Sequence, residues 1–130
     1  MATINRFEDL DIWKRARLLC KDIHKLTMLG EFKTDFALRN QISSSSGSIM
    51  DNIAEGFGRE GNKEFVNFLC IAKGSANETK SQLYRALDFE YISEKQFNTL
   101  AEEMVVLVAG IKGLSDYLIK SDMKGNKFKK

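Results

Sequence analysis

A chain of 130 residues with 20 Lys and Arg against 18 Asp and Glu is long enough for one domain with a sizeable core, and too short for two. Proline is absent, so no helix is interrupted for want of an N–H donor, and the apolar share of 43% is that of an ordinary globular protein. No run of about 18 apolar residues occurs, and residues 1–6 form no apolar leader core, so the expectation is a cytoplasmic protein that neither spans a membrane nor is secreted.

The first helical pattern covers about residues 9–29. Ile12, Ala16, Leu19, Ile23 and Leu26 recur at alternating intervals of four and three, with Asp9 or Asp11 as candidate caps and Gly30 as the stop. Leu10, Trp13 and Cys20 widen this stripe. The rest of the helix is crowded by Lys14, Arg15, Arg17, Lys21 and Lys25, opposed locally by Asp22, which makes it either a solvated face or an anion-binding one.

The second pattern, about 35–57, keeps helical spacing through Leu38, Ile42, Ile49 and Ile53 but runs through Ser43, Ser44, Ser45, Ser46, Gly47 and Ser48. Alone, such a stretch favours a linker, because serine competes for backbone hydrogen bonds and glycine costs about 1 kcal/mol against alanine. Periodic isoleucines on both sides point instead to a continuous helix with a very small face, placed deep in a bundle or at a subunit contact. Gly56, Gly58 and Gly61 then mark a break, and Asn62 is the expected N-cap of a third helix over about 62–89. That helix carries Phe65, Leu69, Ala72, Ala76, Thr79, Leu83 and Ala86, with a second small centre at Gly74, Ser75 and Ala76.

The fourth pattern, about 93–120, is the most regular: Phe97, Leu100, Met104, Leu107, Ile111, Leu114 and Leu118 form an unbroken seam, opened by a Ser93–Gln96 capping box. Connections this short force consecutive helices antiparallel, so residues 1–120 are expected to form an all-α, up-down-up-down four-helix bundle. Residues 121–130 are expected to be a basic, disordered tail. The charge is distributed accordingly: residues 120–130 hold Lys120, Lys124, Lys127, Lys129 and Lys130 against Asp122, whereas residues 1–119 hold 15 cations against 17 carboxylates. The folded body is therefore mildly acidic, and the tail either keeps the protein soluble or adds sequence-independent attraction to phosphates.

Chemistry is sparse. His24 is the one histidine, there is no Glu-x-x-His pair of the di-iron bundles, and neither GxxxxGK[ST] nor GxGxxG occurs, so no metal, cofactor or catalytic residue is expected. Cys20 and Cys70 lie in apolar stripes without a CxxC spacing and are expected to be reduced core thiols. Asp51 and Glu55, and Glu60 and Glu64, sit one turn apart, and Glu78 lies in the small centre of the third helix. None of these shows the repeated acidic spacing of a Mg²⁺ hydrolase. Glu55 and Glu78 are instead expected to join Gln41, Asn52 and Gln82 in a polar network inside the bundle, within reach of Arg39.

From Phe7 to about Ile119 the chain resembles the four-helix-bundle family known as 23S rRNA-intervening-sequence proteins. The resemblance is carried by Phe7-Glu8-Asp9-Leu10 with Trp13, by Asn52-Ile53-Ala54-Glu55-Gly56-x-Gly58-Arg59, and by Lys63-Glu64-Phe65-x-x-Phe68-Leu69. Ile71-Ala72-x-Gly74-Ser75 and Glu78-x-x-Ser81-Gln82-Leu83 continue it in order. It implies a homopentamer arranged as a barrel, with no catalytic residues to carry over. A related branch, the accessory variability determinant proteins of diversity-generating retroelements, binds nucleic acid and a reverse transcriptase. Members often have proline where this chain has Met50, and basic residues where it has Ser43 and Ser44.

Three functions follow as expectations. The first is a non-enzymatic homo-oligomer that binds RNA or DNA through Lys14, Arg15, Arg17, Lys21 and Lys25 of the first helix and Lys127, Lys129 and Lys130 of the tail. The second is a structural or adaptor oligomer for a protein partner such as a reverse transcriptase. The third, ranked last, is a carboxylate-metal nucleotide hydrolase. Oligomerisation is expected from apolar residues in excess of one bundle's needs, namely Phe7, Leu10, Trp13, Phe57 and Phe68.

Overall fold

The structure is a computed structural model that describes residues 4–128, with side chains described to Lys124. Among the described residues there is no strand. Four helices, α1 (Asp11–Thr27), α2 (Phe36–Phe57), α3 (Asn62–Asp88) and α4 (Glu94–Phe128), are accompanied by short 3-10 turns at Phe7–Asp9 and Gly30–Thr34. Each helix packs on its chain neighbours, and α1 also packs on α4, which closes an antiparallel four-helix bundle.

The periodic residues are the core. Ile12, Ala16, Leu19 and Ile23 of α1 are buried, as are Phe97, Leu100, Met104, Leu107, Ile111 and Leu118 of α4, while Leu26 and Leu114 pack partly buried at the margin. From the middle pair come Leu38, Ile42, Ile49 and Ile53, and Leu69, Ala72, Ala76, Leu83 and Ala86. Burying a large aliphatic side chain contributes about 1.5–3 kcal/mol. α2 runs unbroken through its serines. Ser45 and Ser46 face inward, where their hydroxyls lie 3.3 Å from the Ile42 carbonyl and 3.4 Å from the Ser43 carbonyl. A serine that finds a partner one turn back no longer competes with the helix for its hydrogen bonds.

At the α2–α3 turn the two backbones nearly touch. A Cβ on Gly56 would lie 2.6 Å from Phe68 Cβ and 2.9 Å from the Phe65 ring, so only glycine fits. Gly61 turns the chain at φ +88° and itself caps α3, so Asn62 is the first residue inside the helix rather than its cap. α1 likewise starts from Leu10 without a side-chain cap; Asp11 instead pairs with Arg15 one turn on, at 2.7 Å. The Ser93–Gln96 box forms in both directions: the Ser93 amide donates to Gln96 Oε1 at 2.8 Å, and the Gln96 amide donates to Ser93 Oγ at 3.0 Å.

α4 does not stop at Lys120 but continues to Phe128. Leu118 is its last buried residue and residues 121–124 are all exposed, so about 12 Å of helix projects past the packed body at 1.5 Å per residue. With no proline to block it, a stretch containing Met123 and Lys124, both good helix formers, keeps its local hydrogen bonds without tertiary support. The boundary expected at residue 120 therefore falls inside α4. Lys129 and Lys130, and the side chain of Lys127, lie outside the described residues.

The opposite end is closed by the two remaining connections. Phe32 is fully buried, and its ring stacks on Tyr91 at 5.3 Å. The Tyr91 hydroxyl donates to Asp35 Oδ2 at 2.9 Å, while Asp35 Oδ1 accepts the Leu38 amide at 3.1 Å as the N-cap of α2. The Leu38 amide first, and then the Tyr91 hydroxyl, hold the Asp35 carboxyl below its ordinary value of 3.8; the same bond raises Tyr91. Asp35 thus releases its proton more readily folded than unfolded. Its stabilisation is complete above the ordinary carboxylate value and is lost as pH falls through the lower, folded one. In a carboxyl NMR titration, Tyr91→Phe should move the Asp35 midpoint upward. Asp35→Asn should flatten the acid limb of stability measured by urea unfolding.

Candidate nucleic-acid interface

The α1 cations divide into three groups. Lys14, Arg17 and Lys21 are exposed and, with Leu18, line one shallow depression along the outer face of the helix. None of the three has a carboxylate within ion-pair distance among the described residues. Arg17 lies over the Trp13 ring, 5.6 Å from its centroid, a contact that steadies an otherwise free guanidinium. Arg15 is neutralised by Asp11. Lys25 lines a different groove, between α1 and α4, together with Asp22, Lys95 and Glu103. There burial, and then the Asp22 charge, push the Glu103 carboxyl up. The five-residue basic face is therefore a three-residue face with Arg15 and Lys25 set apart from it.

Toward α2 the same face dips into a crevice of roughly 330 Å³ lined by Arg17, Cys20, Lys21 and His24 of α1 and Ser43, Ser46 and Met50 of α2. Cys20 is half-buried, with the Ser46 hydroxyl 3.8 Å from its sulfur. Cys70 is exposed on α3, which corrects its placement in the core.

The buried polar network is real but has other members than expected. Ser45 Oγ donates to Gln82 Oε1 at 2.5 Å and accepts from Thr79 Oγ1 at 2.8 Å; all three side chains are buried between α2 and α3. One turn along, Ser48 and Ser75 share a hydrogen bond at 2.9 Å, and Asn52 donates to the Ser48 carbonyl at 2.8 Å. Gln82 and Asn52 thus take part. Glu55 does not, being exposed and paired with Arg59 at 2.8 Å, and Glu78 is exposed on α3. Gln41 lies on the surface, where it accepts from Arg85. Carboxylates would have brought a desolvation penalty into this seam that hydroxyls and amides avoid. The available signal was the serine run of α2 facing the Gly74-Ser75-Ala76 centre of α3.

Asp51, Glu55, Glu60, Glu64 and Glu78 are all exposed, and among the described residues no three His, Cys, Asp or Glu side chains converge on a point where a metal ion could sit. No described helix is long and apolar enough to cross a membrane. The surplus aromatic residues also sit differently from expectation. Phe7 packs edge-on against Trp13 at 5.1 Å, Phe57 against Phe65 at 6.0 Å, and Arg59 covers Phe68 at 5.0 Å, which leaves each ring half-buried. Exposed apolar residues are instead spread over the surface, at Leu18, Leu29, Phe36 and Phe89 and, in greatest number, on α4 at Val105, Val106, Tyr117, Ile119 and Met123.

Fold and surface together define an all-α four-helix-bundle protein in which a basic helix, α1, lies beside a helix, α4, that carries exposed apolar residues. The chain belongs to the family of 23S rRNA-intervening sequence proteins, whose sequence model matches residues 8–113. Among solved structures it is similar to a protein of unknown function from the S23 ribosomal protein family of Bacteroides thetaiotaomicron. The TM-score is 0.73 at 23% identity, over 80% of this chain and 97% of that one, a likeness that shows the fold. No curated protein matches the chain.

Ser45→Ala should strand Gln82 Oε1, while Thr79 keeps its bond to the Ser75 carbonyl, and destabilise the bundle by about 1–3 kcal/mol in urea unfolding. Glu78→Ala should leave the unfolding midpoint unchanged.

Proposed function

We propose that this protein is a non-enzymatic helical scaffold that binds the phosphate backbone of RNA or DNA through the α1 face formed by Lys14, Arg17 and Lys21. One observation carries the reading: three exposed cations without ion-pair partners share one face of a body in which carboxylates outnumber cations. Three like charges on one helix face repel one another, and a bound phosphate relieves that repulsion. Lys124 and the projecting end of α4 add positive charge at the end of the body where α1 begins. Three contacts per chain give weak binding, and several copies in one particle multiply it through avidity. In gel-shift titrations at low salt, affinity should fall steeply as salt is added. Reversing Lys14, Arg17 and Lys21 together to glutamate should abolish the shift, and removing residues 121–130 should weaken it less. Absence of a shift with either RNA or DNA at micromolar protein would overturn the reading.

A second reading, an assembling or adaptor scaffold for a protein partner, is favoured by the exposed α4 surface. Val105 is 61% exposed and Tyr117 54%, on a helix whose other face is fully engaged in the core. An unpartnered apolar face of this kind is the usual mark of an interface, and the family resemblance supports a homopentamer. Light scattering should give a mass several times the 14.8 kDa of the chain, and Val105→Glu with Val106→Glu should reduce it to that of one chain. A wild-type monomer at micromolar concentration would remove the self-assembly part of this reading.

A further inference from the structure

The crevice between α1 and α2 adjoins the cationic depression on the outer face of α1, and we infer that it receives one nucleotide unit of a single strand. The inference rests on the nucleic-acid reading above and specifies the form of ligand. Seven residues line the crevice and none is a carboxylate, in a body where carboxylates are in the majority. Arg17, Lys21 and His24 supply nitrogen donors from the α1 side. Ser43 supplies an exposed hydroxyl from the α2 side, which together with the α1 nitrogens suits phosphate and sugar oxygens.

The floor is of a different character. Met50 and Cys20 are half-buried, soft and polarisable, and a thioether packs well against a flat π-system. Cationic rim, hydroxylated wall and sulfur-bearing floor together match the three parts of a nucleotide. Roughly 330 Å³ is room for one such unit. A duplex cannot enter, because its bases are stacked inside and a gap between two adjacent helices is far narrower than its diameter. It can reach only the ridge of Lys14, Arg17 and Lys21. Single strands, whose bases splay outward, can place one unit in the crevice and run their backbone along the ridge. Arg17 and Lys21 line both depressions and so join the two surfaces.

Cys20 gives the crevice its own reporter. In full-length protein carrying Cys70→Ser, which leaves Cys20 as the one thiol, alkylation by a maleimide should slow severalfold when a single strand of about ten nucleotides is added at saturation. The duplex of the same sequence should leave the rate unchanged. Ser43→Glu sets a carboxylate at the exposed mouth of the crevice. It should weaken single-strand binding by about tenfold and remove the protection of Cys20, with a smaller loss for the duplex, which shares Arg17 and Lys21. Lys14→Glu, on the ridge outside the crevice, should weaken both ligands. Unaltered circular dichroism and melting temperature establish that each variant is folded, and Lys21→Gln serves as a second, milder probe of the crevice. If the strand binds but Cys20 reacts at its free rate, or if Ser43→Glu binds the strand as the parent does, the crevice is not the site and the α1 surface reading stands alone. If the parent binds neither strand nor duplex, the nucleic-acid reading falls, and this inference falls with it.

Discussion

The close approach of α2 and α3 is the constraint on which the rest of the structure depends. Two helices approach closely where their facing side chains are small, and here α2 contributes Ser45, Ser48 and Gly56 and α3 contributes Ala72, Ser75, Ala76 and Thr79. Small polar residues in a core must also satisfy their hydroxyls. The set Ser45, Thr79 and Gln82, and the pair Ser48 and Ser75, do so across the seam rather than with water. This arrangement fixes rotation as well as distance, since turning either helix by one residue would separate donors from acceptors and leave them buried without partners. At the turn, Gly56 against Phe68 sets the same separation by steric contact.

With α2 and α3 held in this way, the outer pair completes the core begun by Leu38, Ile42, Ile49, Ile53, Leu69 and Leu83. Leu19 and Ile23 of α1, and Phe97, Leu100, Leu107 and Ile111 of α4, fill the remaining volume, and each outer helix is left with one free face. Those faces differ in chemistry. The α1 face is cationic and borders a concave seam with α2, whereas the α4 face is apolar at Val105, Val106 and Tyr117. The two faces share no residue.

Much of the fold was legible in the chain because helical period, caps and short connections all pointed to one arrangement. The seam from Phe97 to Leu118 and the Ser93–Gln96 box were read from spacing alone, and so was a continuous α2 despite its serines. The errors share a cause: periodicity tells which face of a helix is buried, not which polar residue on it finds a partner. Glu55 and Glu78 fall near the α2–α3 contact in sequence, yet lie outside it by part of a turn, and the network goes to neighbouring hydroxyls. The division of the α1 cations is of the same kind. Arg15 and Lys25 are set apart by Asp11, Asp22 and Glu103, and the last of these belongs to a helix far along the chain.

The α1–α4 seam is the thinnest of the four between neighbouring helices, and it joins the two ends of the chain. At its tightest point a Cβ on Gly110 would lie 2.8 Å from an Ile12 methyl. The hairpins of consecutive helices bring together residues near in sequence. Closing α1 on α4 instead ties a loop that contains both inner helices, and its entropic cost is the largest in the fold. Opening therefore begins there. The bundle behaves as a book whose spine is the serine-lined α2–α3 pair and whose covers are α1 and α4, so that thermal fluctuation parts the covers before it disturbs the spine.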